Sequence, residues 1–334
     1  MSAGRSRSGP RGLVKRAAAG VAAGAGLALR RLAGKVVILA YHRVLPASAL
    51  REAFVQPGMY VRDTVFEMHV RFLREHFDLL PLGELLRLWT SGGFDERSRY
   101  AVLTFDDGWR DNYLYALPVL ARHRAPASIF LATDLIGTAR WFWPERLAYV
   151  MHREERPPAP ADVDRAITRF KELPEGDVER VVEARADAAR VTLPTERLLL
   201  SWEEVEEMSR HGITFGSHSR THRILTRLPS DELTREVAGS LAALDRPGVA
   251  AIPVFAYPNG NRDGETAARV RDAGYAAALG SGPGPEGRVP SDLFGLRRVG
   301  IHDDVSATPA LFQARLAGLD RPAAWLGRGA ARWC

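Results

Sequence analysis

Three short stretches gather the side chains that could do chemistry. Thr104-Phe105-Asp106-Asp107-Gly108 sets two carboxylates directly after an apolar run. Adjacent side chains diverge, so one carboxylate can bind a metal while the other handles protons. The same Asp-Asp-Gly could also serve as an Asx turn capping the next helix. His218 and His222 stand four apart, a spacing that brings two imidazoles to one side of a helical turn, as zinc requires. With one carboxylate, Asp107 or Asp106, they make three protein ligands and leave a coordination position for water, the pattern of a catalytic zinc. The third stretch, Phe255-Ala256-Tyr257-Pro258-Asn259-Gly260, is an aromatic, proline and glycine turn with no chemistry of its own.

Such groups need a scaffold that presents them together, and the carboxyl ends of parallel strands do so. From Val36 onward, short apolar runs alternate with amphipathic segments, the pattern of a mainly parallel α/β sheet or barrel. Strands are expected at 36–40, 101–105, 127–131, 213–216, 254–257, 275–279 and 296–301. Helices are expected at 63–76, 111–123, 230–244 and 265–273. Ser201-Trp202-Glu203-Glu204 has the capping-box form and predicts a helix to Arg210. Residues 137–200 read as helices broken by prolines, a helical insertion between barrel units. No repeat of fixed period is present, which excludes solenoids and propellers.

Taken together, the three stretches resemble the polysaccharide deacetylases of the NodB-homology type, carbohydrate esterase family 4, over residues 36–301. Thr104 to Gly108 matches that family's first motif, His218 to His222 its second, and Tyr257-Pro258-Asn259-Gly260 part of its third. The resemblance implies a distorted (β/α) barrel of about seven repeats. It implies Asp106 as general base and Asp107, His218 and His222 as holders of a divalent metal, zinc first, with cobalt or nickel as alternatives. The family's third motif usually carries an arginine that orients the base; here Ala256 stands at that place. Tyr41-His42-Arg43-Val44 resembles the opening of a circularly permuted branch that includes poly-N-acetylglucosamine deacetylases. That branch puts its acid histidine on the first strand, so His42 is the candidate acid, ahead of His302, which is read as a loop residue. Asp106 to Tyr113 matches the same branch. Trp109, Tyr113, Trp141 and Trp143 are candidates to line a sugar groove, and the turn Tyr257, Pro258 and Asn259 to contact substrate or oxyanion. The reaction implied is hydrolysis of N-acetyl groups on an N-acetylated glycan. The alternatives are a lipid-linked or nucleotide sugar as substrate, or a non-catalytic glycan-binding relative.

Composition bounds these readings. The chain has 334 residues, 46% hydrophobic and 26% charged, enough for a sizeable core. Cys334 is its one cysteine, which excludes an internal disulfide framework and a cysteine-based metal site. The net charge of +6 invites a nucleic-acid reading, but residues 1–35 hold eight basic residues and no acid. The rest carries 38 basic against 40 acidic side chains, so the body needs no polyanionic partner. The expected organisation is a basic Ala/Gly-rich leader at 1–35, a barrel at 36–320 and a tail at 321–334. The leader makes a poor signal sequence and admits a peripheral membrane contact. A cytoplasmic or membrane-peripheral location is favoured, with export as the alternative.

Overall fold

The computed structural model describes residues 27–52, 55–282 and 284–320. Most of the basic leader and the whole tail, with the membrane contact expected of the leader, lie outside the described residues. Ten strands are formed within them: β1 (Lys35–Tyr41), β2 (Arg43–Leu45), β3 (Tyr60–Arg62), β4 (Asp78–Leu79), β5 (Arg99–Phe105), β6 (Ala127–Leu131), β7 (Ile213–Ser217), β8 (Ala251–Ala256), β9 (Ala277–Leu279) and β10 (Val299–Gly300). β2 and β3 pair with each other. The remainder make one parallel sheet in the order β10-β1-β5-β6-β7-β8-β9, with β4 beside β5. Leu296 bridges to Leu279 of β9, while Val299 and Gly300 pair with Leu39 and Ala40 of β1. One stretch of five residues thus touches both edges of the sheet and closes a distorted (β/α) barrel.

The strands are apolar on both faces because both faces are covered. Alternation assigns each face its layer. Val36, Ile38, Val102, Phe130, Val254 and Leu279, from five strands, meet in one cluster that fills the barrel. Val37, Leu39, Leu103, Phe105, Ile129 and Phe215 pack outward, against helices such as α1 (Asp63–His76) through Phe66, Val70 and Leu73. The other helices of eight residues or more, apart from three at 143–188, are α2 (Leu82–Ser91), α7 (Trp202–Arg210), α8 (Ser230–Ala243), α9 (Gly264–Asp272) and α10 (Pro309–Leu316). Ser201 caps α7 with the expected box: its side chain accepts from Glu204 N–H, and the Glu204 carboxylate accepts from Ser201 N–H.

The segment expected to be a helix at 111–123 opens differently, as a π turn at Asn112–Ala116 before α3 (Leu117–Arg122). Pro118 has no N–H to give to the carbonyl four residues back, which frees that turn to widen. The insertion carries α4 (Trp143–His152), α5 (Pro160–Phe170) and α6 (Glu175–Ala188) around its own cluster of Leu147, Met151, Val163, Ile167, Val178 and Val182. It is tied to barrel loops by Gln56 donating to Asp164 at 2.7 Å, Lys171 donating to Asn259 at 3.4 Å, and Arg227 donating to the Lys171 carbonyl. Among the described residues no helix is long and apolar enough to cross a membrane.

Candidate active site

The inner phase of each strand, continued past its carboxyl end, delivers the site. Ile38 is inward, so His42, four residues on, falls on the same phase; Val102 leads likewise to Asp106. On β7, Phe215 packs outward and Gly216 inward, which puts His218 on the inner phase. Gly216 is there of necessity, since a Cβ would come within 2.4 Å of the Phe130 ring and 2.7 Å of the Val254 carbonyl oxygen.

Asp107 breaks the alternation. Its φ of 75° turns it toward the same mouth, with Gly108 following at 78°. Its Oδ1 lies 3.4 Å from His218 Nε2 and 3.1 Å from His222 Nε2. The two histidines converge, but not through the expected helical turn. Residues 218–224 form a loop in which Ser219 (φ 63°) and His222 (φ 67°) take left-handed conformations, and Ser219 Oγ accepts from His222 N–H at 2.9 Å. Left-handed residues reverse the chain tightly enough to return the second ring to the first, with centroids 4.9 Å apart.

This trio satisfies the requirements of a divalent cation. One ligand atom from each residue lies within 4.8 Å of the others. Buried Asp107 Oδ1 has no hydrogen-bond partner, a costly state for a carboxylate that a cation would relieve. His218 Nδ1 lies 2.7 Å from the Ala256 carbonyl, so it carries the proton and leaves Nε2 with a lone pair toward Asp107. Asp107 Oδ2 accepts from Trp109 Nε1 at 2.8 Å. One carboxylate oxygen and two imidazole nitrogens are a zinc-type donor set. Burial pushes the Asp107 carboxyl up, but His222 and His218 outweigh it and hold it well below the usual carboxylate range.

Asp106 is held by Arg298 through two parallel bonds of 2.7 Å, both partners 1% exposed. The same guanidinium donates to Thr104 Oγ1 and the Gly280 carbonyl, both at 3.3 Å. Burial pushes Asp106 up in pKa; Arg298 and His218 bring it below its ordinary value. Sequence reasoning missed this arginine. It sits in the closing stretch between Leu296 and Val299, and its only signal was a buried-strand pattern interrupted by two adjacent arginines.

The other expected residues separate into two groups. His42 lines the cavity that contains Asp107, His218 and His222, and burial lowers its pKa despite the nearby Asp107 and Asp106. His302 does not line that cavity; it precedes the one-turn helix Asp303–Ser306, 3.3 Å from Asp304 Oδ2. Trp141, Trp143 and Asn259 line the cavity. Tyr113 instead donates to Glu207 at 2.8 Å.

Trp109 also lines the cavity, whereas Tyr257 and Pro258, expected at substrate, do not. Trp109 is 1% exposed, with the Arg43 guanidinium 4.4 Å above its ring, so it buttresses Asp107 from beneath. Arg43 in turn donates to Asp111 at 2.7 Å, joining the first-strand signature to the Asp106 to Tyr113 stretch. Tyr257 is fully buried, its hydroxyl donating to the Phe294 carbonyl, and Pro258 is buried beside it. Their apolar bulk anchors the turn, and Asn259, at φ 56°, is the residue it presents.

The profile of the polysaccharide deacetylase family matches residues 95–278. YxkH of Bacillus subtilis, assigned as a polysaccharide deacetylase, is 24% identical over 276 residues, covering 82% of this chain and 74% of that protein. Among solved structures, the deacetylase PplD of Streptococcus pyogenes in complex with acetate superposes with a TM-score of 0.58 at 20% identity, covering 86% of this chain and 99% of that one. IcaB from Ammonifex degensii superposes with a TM-score of 0.57, also at 20% identity, covering 86% and 98%. Both are similar in fold to this chain.

Proposed function

Since the chain belongs to the polysaccharide deacetylase family, we propose that it hydrolyses N-acetyl groups on an amino-sugar-containing polysaccharide and releases acetate. The observation that carries this reading is the juxtaposition at one barrel mouth of the Asp107, His218 and His222 trio with the Arg298-bound Asp106 carboxylate. PplD, a deacetylase by name, shares the fold and supports the same chemistry, and IcaB shares the fold.

Asp107, His218 and His222 would hold a divalent ion, of which zinc suits the donors. Such an ion, when bound, polarises the amide carbonyl and acidifies water at the site. The chain's own residues do the rest. Asp106 accepts the proton of the attacking water as its oxygen bonds to the acetyl carbon. Arg298 fixes both oxygens of that carboxylate and keeps it ionised, so it is poised as a base. His42, on the inner phase of β1, supplies the proton the nitrogen needs as the C–N bond breaks. Trp141 and Trp143 offer aromatic faces to the sugar. The products are acetate and an amine.

The test is acetate release from an N-acetylglucosamine oligomer by the full chain before and after chelation. Chelation is expected to abolish turnover and zinc to restore it; full activity in chelator would sink the mechanism. Asp106→Asn is expected to retain bound metal while losing turnover, whereas His218→Ala is expected to lose the metal.

A further inference from the structure

One carboxyl group in the reaction cavity takes no part in the mechanism above. Glu145 occupies the first turn of α4, after Pro144, in the insertion rather than the barrel. It lines the same cavity of about 390 Å³ as His42, Asp107, His218 and His222. Among the described residues, three acidic ones line the cavity. Asp107 belongs to the histidine trio, and Glu179 is paired with Arg146. Glu145 alone makes no ion pair with a described residue. The other charged side chains among the described residues of the wall are cations, Arg140, Lys171, Arg223 and Arg227, with Arg223 paired to Glu232.

Deacetylation changes the charge of what this cavity holds. The acetamide enters neutral. The C–N bond breaks, the nitrogen gains one proton to leave as an amine, and a second proton from water makes it an ammonium. An ammonium left in this cavity is held better where an unpaired carboxylate faces it.

We propose that Glu145 is that carboxylate, a substrate-contacting residue that receives the ammonium of the deacetylated sugar. The assignment rests on the deacetylase reading and adds product recognition to it. Burial pushes Glu145 up to about 7, with Arg43 opposing and Asp107 reinforcing the shift, as befits a carboxyl whose cation arrives only with the product. A first-turn glutamate could also serve merely to favour the start of α4. Binding, not stability, separates the two roles.

The experiment is calorimetric titration of the zinc-loaded full chain with a glucosamine tetramer and with its N-acetylated counterpart. In Glu145→Gln the Kd for the glucosamine tetramer is expected to rise about tenfold, the loss of one charge-assisted hydrogen bond, with the N-acetylated tetramer changed less than about twofold. Glu145→Asp is expected to keep most of the preference. Glu145→Ala serves as the neutral variant should the glutamine form fail to fold. A lower melting temperature with both affinities unchanged, or both weakened alike, overturns the assignment. Wild-type protein that releases no acetate from any N-acetylated glycan overturns the deacetylase reading, and the product role with it.

Discussion

Residue by residue, the site divides into groups legible from sequence and groups supplied from far away in the chain. Asp106, Asp107, His218 and His222 were legible because each follows an apolar strand at a spacing with chemical meaning. Arg298 was not, since it lies 192 residues from Asp106 and only the closed barrel brings them together. Glu145 was equally hidden, one glutamate among many on an amphipathic insertion helix. The Asp106–Arg298 pair is fully buried, so removing one partner strands a charge. Arg298→Ala is expected to destabilise the fold by about 3–5 kcal/mol in chemical denaturation. Arg298→Ala combined with Asp106→Asn should cost clearly less than the sum of the two single changes, because neither then leaves a bare charge. Additivity of the two would argue that the pair is not coupled in solution.

At the scale of elements, the strands were read to within a few residues, because buried parallel strands are apolar throughout and end in polar turns. The helical-turn expectation for His218 and His222 failed because spacing alone does not distinguish a helix from a loop with two left-handed residues. Both geometries return a side chain to the same side after four residues. Only the backbone reveals which was used, and the loop form makes the site depend on β7 holding its register. Gly216→Ala is therefore expected to act on the proposed metal site from two residues away. The added methyl must displace the Phe130 ring or the Val254 carbonyl, at a cost of about 1–3 kcal/mol. Zinc affinity measured by competition with a chelator should fall with it, through movement of His218. Unchanged zinc affinity in a destabilised variant would show that the loop adjusts independently of its strand.

For the whole molecule, the barrel depends on its last segments meeting its first. His69 of α1 joins them: its Nδ1 is 3.2 Å from the Tyr41 hydroxyl, its Nε2 is 2.8 Å from the Ser306 carbonyl oxygen, and its ring stacks on Phe312 at 3.9 Å. Burial lowers its pKa to about 4, against the opposing bond to Ser306. The unfolded chain, with an ordinary histidine near 6.5, binds that proton more readily. Stability is therefore complete above pH 6.5 and falls as pH drops toward 4, by up to about 3 kcal/mol from this group. His69→Gln is expected to flatten that part of the stability profile measured by denaturant melts between pH 7 and 4.5; an unchanged slope would assign the acid sensitivity elsewhere. The closing stretch 296–300 carries a consequence for biosynthesis. At about 5–20 residues per second, a ribosome makes Asp106 roughly 10–40 s before it makes Arg298. His218 and His222 also precede Arg298 in synthesis. The nascent protein thus contains Asp107, His218 and His222, the residues of the proposed cation site, before the arginine that pairs with Asp106.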